Sequence, residues 1–252
     1  MKRNVAAQQR FVADAAHQMR TPLTGLKTQA QFAIRENDPE ALRHALRQIA
    51  VGVDRAGRLV NQLLTLARAE GGEAAQQSHE PLDLTVLIRE VVEDWVMLAL
   101  EKRIDLGFEA EGSAMVRGNP FLLCELAKNL IDNALRYTPA GGHVTCRVLN
   151  TGVATVFEVE DNGIGITEAQ AEMVFERFYR VDDASTEGSG LGLAIVQEIA
   201  AQHDASARLR PNPAGRGAIA RVVFRTWRPP PPPPPLPDDF SELYRQSPPI
   251  GT

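Results

Sequence analysis

Residues 119–139 read NPFLLCELAKNLIDNALRYTP, and the layout of the chain follows from this stretch. Asn119 is a favoured N-cap type and Pro120 suits the first helical position, so a helix is expected from there to about Tyr137. Leu122, Leu126, Leu130 and Ala134 recur in steps of four and form a stripe that must be buried. Glu125, Asn129, Asn133 and Tyr137 recur at the same step. At ~100° per residue the second stripe is offset from the first by about a sixth of a turn. Its amides therefore lie at the rim of a core, where polar groups need partners.

On the C-terminal side, Thr138-Pro139 and Gly141-Gly142 make a turn. Strands are expected near 143–149 and 153–159, with Thr151-Gly152 at the hairpin tip. Helical segments follow near 168–175 and 191–203, and strands near 205–209 and 218–224. On the N-terminal side, 84 to about 102 is helical and 104–108 strand-like. A helix layer on a mixed sheet is an α/β sandwich.

Further upstream the pattern changes. Val12, Ala16, Met19, Leu23, Leu26, Ala30 and Ala33 alternate in steps of four and three, as do Leu42, Leu46, Ile49, Val53, Ala56, Val60, Leu63 and Ala67. This is a coiled-coil type of seam on two long helices. Asn37, Asp38 and Pro39 break it, with Asp38 as N-cap and Pro39 at N1. Two such helices bury their seams poorly alone, and a hairpin that pairs with a second copy into a four-helix bundle removes the problem. The boundaries expected are 1–72 for the hairpin, 73–83 for a linker, 84–227 for the sandwich and 228–252 for a proline-rich tail. Pro229 to Pro235 are seven consecutive prolines, read as a disordered spacer rather than a ligand for a proline-reading module.

Composition narrows the classes of function. A net charge of −5 offers no basic surface to nucleic acid. Cys124 and Cys146 show neither metal spacing nor disulfide density, which fits a reducing compartment. No apolar run reaches the ~18 residues that span a bilayer, so this segment is not expected to enter a membrane. Met1 to Arg10 run straight into a helical pattern, which leads us to expect a preceding region.

Four short stretches carry chemistry. His17 falls one residue past the seam position Ala16, on the flank of the bundle. Pro22 removes a hydrogen bond to the carbonyl of Gln18, so a kink is expected just below His17. Thr21 lies one turn from His17 on the same face. A neutral imidazole attacks phosphorus well when one nitrogen is free and the other held. Asn129 and Asn133 either bond backbone or hold Mg²⁺ and phosphate oxygens, since Mg²⁺ takes hard oxygen ligands. In VEDNGIGI (159–166), Asp161 ends a strand, and a carboxylate there can accept from the amino group of adenine, a donor that guanine lacks at that place. Gly163 and Gly165 permit tight turns and close approach to a ligand. In GSGLGL (188–193) a glycine-rich loop opens a helix, whose N–H groups and dipole favour an anion. Arg177 and Arg180 in FERFYR (175–180) are placed to meet phosphate, and 182–188 to close as a lid. Each stretch alone is a weak signal; a turn, a surface histidine and a plain glycine loop are the ordinary readings.

Together they are not ordinary. FVADAAHQMRTPL (11–23) resembles the phosphoacceptor motif of bacterial sensor histidine kinases, with Gln18 where an acidic residue is commoner. NLIDNALRYTP, DNGIGI, FERFYR and GSGLGLAIV resemble, in order and spacing, the N, first-glycine, F and second-glycine boxes of that family's ATPase domain. The stretch continuing through TGLKTQA (24–30) is similar to the tricarboxylate-transport sensor kinase branch. DNA gyrase, MutL-type repair proteins and some chaperones share such boxes but lack the histidine-bearing hairpin.

The resemblance implies an α+β chain: a dimerising antiparallel helical hairpin followed by a Bergerat-type α/β sandwich. It implies ATP and Mg²⁺ as cofactors, with Asn133 on the metal and Asn129 supporting it. Tyr137 and Asp161 would hold adenine, Gly163 and Gly165 would shape the pocket, and Arg136, Arg177 and Arg180 would assist. Gly188, Gly190, Leu191, Gly192 and Leu193 would form the phosphate-side wall. His17 would take the γ-phosphoryl group, with Gln18 and Thr21 beside it, and pass it to an aspartate of a response regulator receiver domain. Thr21 would position water in a phosphatase reaction on that regulator. The parent protein would lie in the bacterial inner membrane with this part facing the cytoplasm. A degenerate homodimer that holds ATP without transferring phosphate is the alternative.

Overall fold

The computed structural model describes residues 2–70, 79–181 and 189–228; within the first two helices the side chains of 2–14, 16–18, 21, 55 and 68–70 fall outside that description. Most of the expected linker, the expected lid with Gly188, and the tail beyond Arg228 lie outside the described residues.

Helix α1 (Lys2–Arg35) and helix α2 (Pro39–Glu70) form the hairpin. Asp38 caps α2, its Oδ2 accepting from the Ala41 N–H at 3.0 Å. The backbone of α1 stays helical through Pro22. The sequence seam is split between two surroundings. Leu42, Ile49, Ala56 and Leu63 are half-buried, and the adjoining row Ala45, Leu59 and Leu66 is buried. Gly52 belongs to that buried row, because a Cβ there would lie 2.7 Å from Leu26 Cδ2. Leu46, Val53 and Val60 are 53%, 54% and 39% exposed. Along α2, about half of the apolar seam is thus covered by the hairpin and its neighbours, and half is open on a single chain.

The second unit carries a five-stranded sheet in the order β2-β4-β5-β7-β6, formed by β2 (Asp105–Ala110), β4 (His143–Asn150), β5 (Ala154–Asp161), β6 (Ser206–Pro211) and β7 (Ala218–Arg225). The β2–β4 pair is parallel and the others antiparallel, so the sheet is mixed. Helices α3 (Leu84–Glu101), α4 (Pro120–Tyr137) and α6 (Gly192–Gln202) pack beside one another, α4 in the middle. Their apolar stripes, with Ile88, Leu126, Ile131 and Ile195, meet Val144, Cys146 and Phe157 of the sheet in one core. Burial pushes the Cys146 thiol up to about 12, which leaves it an inert apolar group. The short α5 (Glu168–Met173) starts in a capping box between Thr167 and Gln170.

A two-stranded sheet of β1 (Glu80–Asp83) and β3 (Met115–Gly118) was not legible in sequence. Each strand has four residues and β1 contains Pro81, too little for an alternation to register. The unit therefore begins inside the stretch expected to be linker. Asp83 closes it: Oδ1 accepts from Thr85 N–H at 2.9 Å, capping α3, and from Ala114 N–H at 3.1 Å. On the sheet, Arg147 pairs with Glu109 at 2.6 Å and with Glu160, and Arg221 with Glu158 at 2.7 Å. These cross-strand ion pairs tie four adjacent strands.

Candidate active site

Asn119 and Pro120 start α4 as the sequence requires, with Asn119 Oδ1 accepting from Leu122 N–H at 3.2 Å. A second anchor comes from the end of α6. His203, 7% exposed, uses Nε2 to accept the Asn119 N–H at 3.0 Å, and its Nδ1 lies 2.7 Å from Ile199 O. The carbonyl can only accept, so Nδ1 carries the proton and the ring is neutral. Burial lowers the His203 pKa, in keeping with that state. The two helices are thereby fixed to each other, and between them and β5 opens a cleft.

The cleft has a polar and an apolar side. Asn129, Asn133, Arg136, Tyr137, Asp161, Gly165, Arg180, Gly190, Gly192 and Leu193, all foreseen from sequence, line it. Ile164, Ile166, Val174 and Leu209 give it apolar walls that suit a planar base. At its floor Asp161 Oδ1 accepts from Gly163 N–H at 2.8 Å and from Ala218 N–H at 3.3 Å. That leaves Oδ2 without a protein partner among the described residues. Burial raises the Asp161 pKa, and the two backbone bonds pull it back.

The asparagines divide their tasks. Asn129 Nδ2 donates to Glu125 O at 2.7 Å, the backbone bond that is one of the two alternatives for these amides, while its Oδ1 faces Gly192, where a Cβ would approach to 3.1 Å. The Asn133 side chain makes no hydrogen bond to the described residues, so its amide is available to a ligand. Arg136 is held by Asp132 at 2.7 Å. On the far side, Phe178 N–H donates to Gly190 O at 2.9 Å, joining the FERFYR stretch to the glycine loop. Gly190 has φ +71 and a Cβ there would lie 2.6 Å from the Phe178 backbone, so the join requires glycine. Phe178 itself has φ +64, an uncommon conformation for a side-chain-bearing residue.

Some expected residues act less directly. Gly163 does not line the cleft; a Cβ there would sit 2.3 Å from Tyr137 O, so it lets β5's end meet α4's end. Leu191 does not line the cleft either; its side chain is fully buried in the core. Arg177 is exposed and does not line the cleft, unlike Arg180. His17, Gln18 and Thr21 lie in α1, but their side chains are outside the described residues. Sequence reasoning missed Gln62 of α2, which also lines the cleft, and Gly217, where a Cβ would fall 1.9 Å from Asp161 O. Both are distant in sequence from the motifs they serve.

A cleft with a buried carboxylate, a side-chain amide without a partner among the described residues and a glycine loop at a helix N-terminus is that of an ATPase domain, and residues 118–228 match the family of histidine kinase-, DNA gyrase B- and HSP90-like ATPases. Residues 7–72 match the His Kinase A phosphoacceptor domain. With both domains in this order, the chain belongs to the sensor histidine kinases of two-component systems. It is 40% identical over 224 residues to the sensor protein kinase PmrB of Pseudomonas aeruginosa, covering 88% of this chain and 46% of PmrB. It is 43% identical over 198 residues to the sensor protein QseC of Escherichia coli, covering 78% of this chain and 43% of QseC. The chain thus spans about half the length of these relatives. Full-length ShkA, solved in complex with AMPPNP, superposes with a TM-score of 0.63 at 27% identity, covering 88% of this chain and 47% of ShkA. Among the described residues no helix is long and apolar enough to cross a membrane.

Proposed function

We propose that this chain binds Mg²⁺-ATP in the α4–α6 cleft, transfers the γ-phosphoryl group to His17, and passes it to an aspartate of a response regulator. The observation that carries the reading is that the acceptor-bearing hairpin itself walls the cleft, through Gln62 of α2. A module that merely stored nucleotide has no need of that contact.

In this reading Asp161 Oδ2 accepts the adenine amino group, and Tyr137 and the apolar walls enclose the base. Arg136 and Arg180 face the phosphates, and the backbone of 190–193 at the α6 N-terminus receives their charge. The unpartnered Asn133 amide, with Asn129 behind it, fits Mg²⁺, which takes few protein ligands and neutralises phosphate charge when bound. His17 attacks through one ring nitrogen while Gln18 orients the ring from the other. Rate comes mainly from positioning and charge neutralisation. Thr21 serves a phosphatase reaction on the regulator by orienting water.

The protein acts as a homodimer in this account, and the exposed row Leu46, Val53 and Val60 supports it, since a second hairpin would cover it. We take the hairpin to run to about 72 and the second unit from β1 to about 228; a membrane-anchored parent with this part in the cytoplasm fits relatives that are sensor proteins of about twice the length. The tricarboxylate-transport branch is supported by residues 17–30 alone.

The test is incubation with γ-labelled ATP, with and without Mg²⁺, followed by acid and base treatment. Acid-labile, base-stable label that is lost in His17→Ala, with ATP binding retained, is the expected result. Label on another residue removes the assignment.

A further inference from the structure

The hairpin and the glycine loop are joined by a short hydrogen-bonded chain. Ser189 Oγ accepts the Leu191 N–H at 3.2 Å and donates to Gln62 Oε1 at 2.6 Å. Ser189 directly precedes Gly190, so this chain reaches the phosphate-side wall of the cleft. On α2, Gln62 lies between Leu59 and Leu66, three and four residues away and therefore on one face. Both leucines are buried in the same core cluster as α6. Their apolar contact holds the two units together but, being non-directional, fixes no height along α2. The hydrogen bond does fix it.

The height is the informative quantity. Leu26 meets Gly52 across the hairpin. Antiparallel helices rise equally per residue, so levels along the hairpin follow from that one contact. Counting ten residues from each, Ala16 is level with Gln62, and His17 is its immediate neighbour.

We propose that Gln62 is a positioning residue: by holding Ser189 it sets the phosphate-side wall of the cleft at the level of His17 and aligns bound nucleotide with the acceptor. This rests on the kinase reading above and adds to it the element that registers the two units.

Initial autophosphorylation rates, the KM for ATP and direct nucleotide affinity are to be measured on the full chain, on Gln62→Leu, Gln62→Glu and Ser189→Ala, and on the Gln62→Leu/Ser189→Ala double variant. One hydrogen bond felt in the transition state corresponds to about a three- to tenfold loss of kcat. Gln62→Leu is expected to show that loss with nucleotide affinity unchanged. Gln62→Glu keeps an acceptor for the Ser189 hydroxyl and is expected to restore the rate. The double variant is expected to be no slower than the slower single one, because both remove the same contact. A Gln62→Leu protein as fast as its parent overturns the proposal, and a faster one shows that the contact holds an idle arrangement instead. A fall in affinity that accounts for the whole rate loss also overturns it, making Gln62 a nucleotide contact. Additive losses in the double variant do so too. A parent that takes up no phosphate defeats the kinase reading and this proposal together, whereas a labelled parent with an indifferent Gln62→Leu defeats this proposal alone.

Discussion

His203 Nε2 accepts the backbone N–H of Asn119 at 3.0 Å, so the C-cap residue of one cleft helix holds the N-cap residue of the other. Asn119 is buried, so its N–H is shielded from water and this bond matters to it. His203→Leu leaves that donor unsatisfied and should cost about 1–3 kcal/mol. The ring must also stay neutral. Its folded pKa lies below the ordinary histidine value, so the unfolded chain binds more protons in the window between the two. Stability contributed by His203 is therefore complete above about pH 6.5 and is lost as pH falls below it. Denaturant unfolding at pH 7.5 and at pH 5.5 measures this. The parent should lose more stability than His203→Leu between those two values; equal losses would show that other groups account for the acid sensitivity.

Asp161→Asn is predicted to change which base is accepted rather than to unfold the site. An asparagine oxygen can still accept from Gly163 and Ala218, as Oδ1 does now. Its nitrogen then replaces Oδ2 and turns a donor toward the amino group of adenine. ATP affinity should fall by about ten- to a hundredfold, the range for a lost hydrogen bond to a charged group. GTP, whose base carries an acceptor at that place, should fall less or gain. Titration of both nucleotides decides it, and an unchanged ATP-to-GTP ratio would remove Asp161 from base selection.

Gly190→Ala is predicted to abolish nucleotide binding while the hairpin still forms. The new Cβ would meet Phe178 backbone at 2.6 Å, and the φ of +71 is itself unfavourable for alanine. Loss of the Phe178–Gly190 bond frees the FERFYR stretch from the glycine loop. Nucleotide titration together with helical circular dichroism separates local from global damage. Retained ATP affinity would show that the loop tolerates being prised from Phe178.

Gln18 stands where the family more often has a carboxylate. An amide can orient the His17 ring but supplies no charge as the imidazole attacks. A hydrogen bond to a charged group is worth roughly 1 kcal/mol more than a neutral one. Gln18→Glu should therefore raise the initial rate at saturating ATP by about five- to tenfold, and Gln18→Leu should lower it. Rates at matched dimer concentration test both. If Gln18→Leu equals the parent, the side chain does not orient His17.

Val60→Asp addresses the open seam. Val60 is 39% exposed on one chain and aligned with Leu46 and Val53 at heptad spacing. A carboxylate buried there in a four-helix bundle is costly. Sedimentation should show a dimer for the parent and monomer for the variant, with ATP affinity kept. A variant that stays dimeric would place the partner hairpin on another face.

The long helices, the strands of the five-stranded sheet and the motif types are legible in the sequence alone. Periodicity is local, so the seam of α1 and α2, the stripe of Leu122, Leu126 and Leu130, and the caps at Asp38 and Asn119 could all be read before any packing was known. The residue types around Asp161, Asn133 and Gly190 were legible for the same reason, because the nucleotide site proposed for them needs particular groups in short stretches. Only the tertiary structure decided what depends on residues far apart in the chain. Which half of the hairpin seam is covered depends on what packs against it, and periodicity treats Leu59 and Val60 as neighbours without saying which faces the core. The four-residue strands β1 and β3 exist because they pair with each other, not because either has a preference strong enough to show. Asn119 with His203 and Gln62 with Ser189 are separated by 84 and 127 residues, and no spacing announces them. Each is a single directional bond that arises once apolar burial, which is strong but non-directional, has brought the elements together.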